Sequence, residues 1–356
     1  MSKDKRNMIN SNQYIFSSLI HFVNEAKDSS IPRDPTIKRY IKTDDYEKEW
    51  LKKLDIKDKQ LILQNFTTAY VNFKQENYFG VIGWFDAIEL NEIIIDFPLN
   101  SGIVTALISE LQLPIREDSN VDEITNEILF QHEDINYSGH DYNDVVKYFP
   151  KIRIYKILED SPFEGEQLDK ISGFYITKNK RNLFLKFSQE TLDIFEKIFL
   201  EGSDYIPYEN LLLSLNSTFW KYSFLDVYRC IEQMFPVAKL DELCKNNNIS
   251  ISLFHLSSQM ETILNWKPKE EDSLANIIDK SSPEAKQLFN DVKRFLGRSE
   301  EKTEKVVYKI RNSIVHYRPA NQQDIELSKL DDINWDKLIR GALLVVMDLY
   351  EMYDLE

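Results

Sequence analysis

The chain has 356 residues, 42% of them hydrophobic and 29% charged, and a formal net charge of −15. This is enough for two globular domains of ordinary size, and the acidic balance argues against a general nucleic-acid coat protein, which needs Lys and Arg to neutralise phosphates. The nine glycines form no G-x-x-x-x-G-K-S/T, G-x-G-x-x-G or G-x-S-x-G pattern, which excludes the common phosphate-cradling loops and the nucleophile elbow and leaves no cofactor expected.

The first residues, MSKDKRNMINSN, are polar and predict no signal peptide. The stretch DYEKEWLKKLDIKDKQLILQNFTTAYVNF, residues 45–73, has helical spacing and is expected to be helix. The aromatics of NYFGVIGWF, including Trp84 and Phe85, are expected in a core. Too few basic residues lie nearby for a base-stacking platform. NEIIIDF, KIRIYKI, GFYITK and NLFLKF are short β-rich runs. The last two flank NKR and predict a hairpin around Asn179. SGIVTALISELQ predicts a helix starting near Ser101.

Residues 1–187 thus read as an α+β region with a sensing or regulatory role. The segment QHEDINYSGHDYND holds His132, Glu133, Asp134, His140, Asp141 and Asp144. These residue types ligate divalent metals, but their spacing matches no metal-binding motif. The segment reads as a polar surface loop. A metal-dependent hydrolase centred on His132 and His140 is the alternative it leaves.

From Ser188 onward the pattern is helical: a connector over residues 188–214, then an all-α bundle over 215–356. FWKYSFLDVYRCIEQMF puts Phe224, Val227, Tyr228, Ile231, Met234 and Phe235 on one face. Arg229 and Glu232 either pair locally or support a neighbouring helix. Cys230 and Cys244, the two cysteines, fit neither a disulfide framework nor a thiolate zinc site, so a reduced, cytoplasmic setting is expected. SLFHLSSQMETILNW is a second amphipathic stretch, with His255 expected in its core. Pro268 is expected in the first turn of the next helix, where Glu270, Glu271 and Asp272 complement the dipole. Pro283 and Gly297 mark the start and stop of another. The final stretch contains GALLVVM, the densest apolar run, which is far short of the roughly 20 residues of a membrane span. It carries Trp335, Leu338, Ile339, Ala342, Leu343, Val346, Leu349 and Tyr350 as a broad stripe.

Before that last helix stands SEEKTEKVVYKIRNSIVHYRP. Read as one helix, it puts Val306, Ile310, Ile314 and Tyr317 on the core face, with Val307 beside them. Lys305, Lys309, Asn312 and His316 form a column on the opposite face, with Arg311 on its flank. Between Lys302 and Arg318, five basic residues face Glu304 alone, a local charge of +4. Pro319 ends the helix just past His316 and leaves that histidine where the helix dipole favours a cation. Such a set suits a phosphodiester: histidine exchanges protons, arginine pairs with phosphate, and asparagine orients the imidazole.

The run IRNSIVH, with Arg311, Asn312 and His316, resembles the R-x4-H signature of HEPN domains (higher eukaryote and prokaryote nucleotide-binding). The polar residue directly after the arginine fits that signature. So do the late position in a helical bundle and the elements YRCIEQMFP and NWKPKEEDSLANII. The resemblance covers about the last 140 residues. It implies a metal-independent endoribonuclease of a bacterial defence or toxin system, with RNA as substrate and a site shared by two copies of the chain. It also implies a defence-system partner or a phage trigger. Some HEPN domains only bind partners, so a non-catalytic dimerisation protein is the alternative. Arg311 would clamp phosphate, His316 would be the general acid or base, and Asn312 would orient it. Apart from the resemblance, the basic residues Lys305, Lys309 and Arg318 are expected to bind RNA. Arg311 and His316 are about 140° apart on an ideal helix, so one copy forms no compact site and two antiparallel copies are expected to combine theirs.

Overall fold

Helices and strands are mixed through the first half of the chain. Helix α1, Met8–Lys27, buries Ile15, Leu19 and Val23. The stretch expected as one helix over residues 45–73 instead holds three elements: α2 (Asp45–Lys53), β1 (Asp55–Leu63) and β2 (Phe66–Phe73). Its helical spacing does not survive the β-favouring run Phe66, Thr67, Thr68, Tyr70 and Val71. A hairpin follows. Phe73 pairs with Glu76, and the two residues between them, Lys74 and Gln75, have φ of 53° and 69°. Such left-handed pairs match the twist of tight hairpins but are usually made by Asn and Gly.

The hairpin leads into β3 (Glu76–Ile82), β4 (Ile94–Phe97), α3 (Ser101–Leu111) and α4 (Val121–Glu123). A π-helical turn, Ile124–Leu129, then α5 (Tyr142–Val146) and β5 (Ile152–Ile157) complete this part. The strands form one antiparallel sheet in the order β1-β2-β3-β5-β4. Ala69, Val71, Phe73, Tyr78 and Ile154 of the sheet share a core with Ile15, Leu19, Trp50, Ile103 and Leu107 of α1, α2 and α3.

The computed structural model describes residues 6–27, 39–63, 66–83, 93–131, 135–163, 165, 167–180, 183–316 and 325–353. Trp84, Phe85, His132, Glu133, Asp134, Tyr317, Arg318 and Pro319 lie outside them. Two compact units result, Met1–Leu168 and Asp169–Glu356.

The hairpin expected around Asn179 is absent. GFYITK lies within helix α6, Leu168–Lys178, and Leu183–Phe187 form no strand. A Cβ on Gly173 would come 2.2 Å from the Phe199 ring, so this helix approaches its neighbour where only glycine fits. The division between the units therefore falls at Leu168, ahead of the expected boundary at residue 187.

The remaining helices are α7 (Gln189–Glu201), α8 (Tyr208–Leu215), α9 (Trp220–Asn247), α10 (Leu253–Leu264), α11 (Glu270–Lys280), α12 (Pro283–Phe295), α13 (Thr303–Val315) and α14 (Asp332–Tyr353). All six stripe residues expected on α9 and all eight on α14 are buried. Helix α14 packs on α7, α9, α11 and α12, and polar ties fix its position. Asp336 accepts from the Ser188 hydroxyl at 2.7 Å, and the Tyr350 hydroxyl donates to the Cys230 carbonyl at 3.2 Å.

Helix α12 opens on Pro283, and Gly297 follows it with φ of 70°. Pro268 stands ahead of α11 rather than in its first turn, because Lys269 is the N-cap. His255 is exposed, not in a core, and bonds to Gln259 at 2.9 Å; only Leu253 of α10 is buried. Pro236 lies inside α9, where it has no N–H to give the Glu232 carbonyl.

Candidate functional site

Helix α13 buries Val306, Val307 and Ile310 and packs on α9, α11 and α12. Ile314 is only half-buried, so the apolar face expected to run on through it fades in the last turn.

Of the column residues Lys305, Lys309, Asn312 and His316, Arg311 meets Asn312. Its guanidinium turns toward α9 and α11, and the side chain is 14% exposed. Nη2 donates to Glu232 Oε1 at 2.5 Å, and Nη1 donates to Asn312 Oδ1 at 3.0 Å. Nη1 also lies 3.5 Å from Glu270 Oε2. The guanidinium carbon is 5.9 Å from the centre of the Tyr228 ring, within cation–π range. Burial disfavours the Arg311 charge, but the Glu232 and Glu270 carboxylates outweigh it and hold its pKa above the ordinary value. Burial pushes the Glu232 carboxyl up, against the pull of Arg311.

The two roles open to Arg229 and Glu232 are thus divided. Arg229 pairs with Asp226 at 2.6 Å, and Glu232 supports the motif helix. Tyr228 and Glu232 lie four residues apart, on one face of α9. That spacing is a sequence signal for a shared contact, although the sequence alone assigns Tyr228 only to the core. Glu270 reads from sequence as a complement to the α11 dipole, and its reach to Arg311 has no sequence signal.

Asn312 was expected to orient His316, but its side-chain oxygen holds Arg311. Only its backbone carbonyl meets His316, accepting that residue's N–H at 2.9 Å. His316 caps the end of α13 with an exposed side chain, and no hydrogen bond joins it to Arg311. One chain therefore does not bring the two motif residues together. Arg318 lies outside the described residues.

Lys305 and Lys309 line a cavity of about 530 Å³ with Glu271, Glu300, Glu301, Lys302, Tyr308 and Asn312. Three lysines meet three glutamates there, so the lining carries no net charge. Lys309 bonds to Glu301 at 2.6 Å, and Lys305 lies 3.7 Å from Glu271. Hydrogen bonds from Lys309 and Arg298 hold the Glu301 carboxyl below its usual range. The basic stretch seen in sequence is therefore largely offset by acidic residues outside it.

In the other unit His140 is buried, with its ring 5.3 Å from Phe16 and 5.2 Å from Tyr137. Asp141 caps α5. Among the described residues, no three His, Cys, Asp or Glu side chains are grouped to share a metal ion. Among the same residues, no helix is long and apolar enough to cross a membrane. No family model matches the chain, and no curated protein or solved structure matches it significantly.

Proposed function

We propose that the helical unit is a HEPN-type endoribonuclease that needs no metal, acts in the cytoplasm as a homodimer and serves a bacterial defence or toxin system. One observation carries this reading. Arg311 of the R-x4-H run is held in a fixed cradle by Glu232, Asn312 and Tyr228, while His316 stands exposed at the end of the same helix. Two antiparallel α13 helices would set each Arg311 beside the other copy's His316.

The chemistry follows from the residue types. The RNA 2′-hydroxyl attacks the adjacent phosphorus, and one His316 takes its proton. The Arg311 side chains stabilise the charge on the phosphorane. The other His316, protonated, gives a proton to the departing 5′-oxygen. The P–O5′ bond breaks and leaves 2′,3′-cyclic phosphate and 5′-hydroxyl ends. DNA lacks the nucleophile. The N-terminal unit would sense the trigger or partner.

The purified full chain should cut RNA but not DNA in EDTA, and leave cyclic phosphate ends. Cleavage only with Mg²⁺ or Mn²⁺, leaving 5′-phosphate ends, overturns this mechanism and moves the search to the His132–His140 segment.

A second reading has its own observation. Both Nη atoms of Arg311 are already engaged within one chain, as in a structural tie of a non-catalytic dimerisation module. A preparation that dimerises but cuts no RNA, with or without divalent metal, selects that reading.

A further inference from the structure

Among the described residues, four polar or aromatic side chains lie against Arg311, and they are unequal. Glu232 bonds to it at 2.5 Å from the middle of α9, with 27% of its side chain exposed. Asn312 bonds to it from the adjacent position on α13 at 3.0 Å. The Tyr228 ring that faces it is fully buried. Glu270 differs in each respect. It lies at 3.5 Å with no hydrogen bond, is 43% exposed, and sits on the first residue of an eleven-residue helix whose cap makes no side-chain bond.

Three contacts therefore fix the guanidinium, and the fourth is a half-exposed carboxylate that can leave. Carboxylate and phosphate oxygens compete for the same guanidinium donors.

We propose that Glu270 is an internal competitor for the anion site of Arg311, occupying the position that a phosphodiester oxygen takes when the site is engaged. This rests on the reading of Arg311 as a phosphate clamp. Glu270 keeps Nη1 covered in the unliganded chain, and an RNA backbone must displace it. Anions that are weaker competitors than a phosphodiester chain are kept off. Glu232 has the opposite role, because it holds the guanidinium in place for whichever anion sits there.

Two measurements on the full chain separate the parts of this proposal. The first is the rate at which phenylglyoxal modifies Arg311, read by mass spectrometry of the peptide. Glu270→Gln should raise that rate about two- to fivefold, the range for a half-exposed ion pair. Asp272→Asn, which removes the same charge from the same turn, should leave it unchanged. Equal rates in all three proteins overturn the competitor role, whatever the enzyme does.

The second is binding of a single-stranded DNA oligonucleotide, which the proposed chemistry cannot cut. Glu270→Gln should tighten it about two- to fivefold, and Glu232→Gln should weaken it. A purely structural role for both carboxylates moves both variants in one direction and overturns the proposal. Faster modification of Arg311 with no oligonucleotide binding by any variant keeps Glu270 as its cover and removes the phosphate clamp.

Discussion

The two ends of the R-x4-H run lie five residues apart on one helix and sit in opposite surroundings. Arg311 is almost buried and tied to two other helices, whereas His316 is exposed at the last turn. One short motif therefore joins a residue tied into the bundle to one whose side chain is exposed. Substitutions at the two ends should separate stability from activity.

The largest effect should come from the core face of the same helix, next to Arg311. Ile310 is fully buried, and Ile310→Ala should cost about 2–5 kcal/mol. Chemical denaturation measures this, and a loss under about 1 kcal/mol would mean that α13 is not packed as described. Next is the tie itself. Glu232→Ala leaves Arg311 buried without its nearest carboxylate and should cost about 1.5–3 kcal/mol.

The pH dependence of that tie has a defined sign. Burial raises the Glu232 carboxyl above its ordinary 4.5. The proton-linked part of the Glu232 contribution is therefore complete below pH 4.5 and is lost as pH rises through the elevated folded value. As pH rises from 4.5 through the elevated value, wild type should lose stability relative to Glu232→Gln. A gain over that interval would mean that Arg311 outweighs burial.

The smallest stability effect belongs to the other end. His316→Ala should change stability by no more than about 0.5 kcal/mol and still abolish RNA cleavage. Retained cleavage would make His316 an ordinary surface residue and place the cleavage chemistry elsewhere in the chain.

What was legible in the sequence depended on the length of the periodic signal. The stripes of α9 and α14 repeat over many turns, and each named residue is buried. The start at Pro283 and stop at Gly297 were legible because each residue has one strong backbone preference. Short segments were not. GFYITK has strand composition, but Gly173 fits it under Phe199 as helix. The β2–β3 hairpin was hidden because Lys74 and Gln75 form a turn that sequence signals assign to glycine and asparagine. At the site, the motif residues were visible but their direction was not. Arg311 turns toward α9 and α11 because Glu232 and Glu270, 79 and 41 positions earlier in the chain, lie there, and no local pattern carries that contact.

Pro236 gives the site a boundary in backbone dynamics. The Glu232 carbonyl lacks its helical donor, so the hydrogen-bonded ladder of α9 is interrupted one turn beyond the residue that grips Arg311. The two parts of the helix need not open together. Fraying that begins at Asn247 can end at Pro236, so amides from Val237 onward can exchange with solvent through partial opening. Those from Phe224 to Phe235 should exchange more slowly. The grip on Arg311 would then belong to the slower-exchanging part of α9, and motion in the C-terminal part of that helix can pass without loosening it.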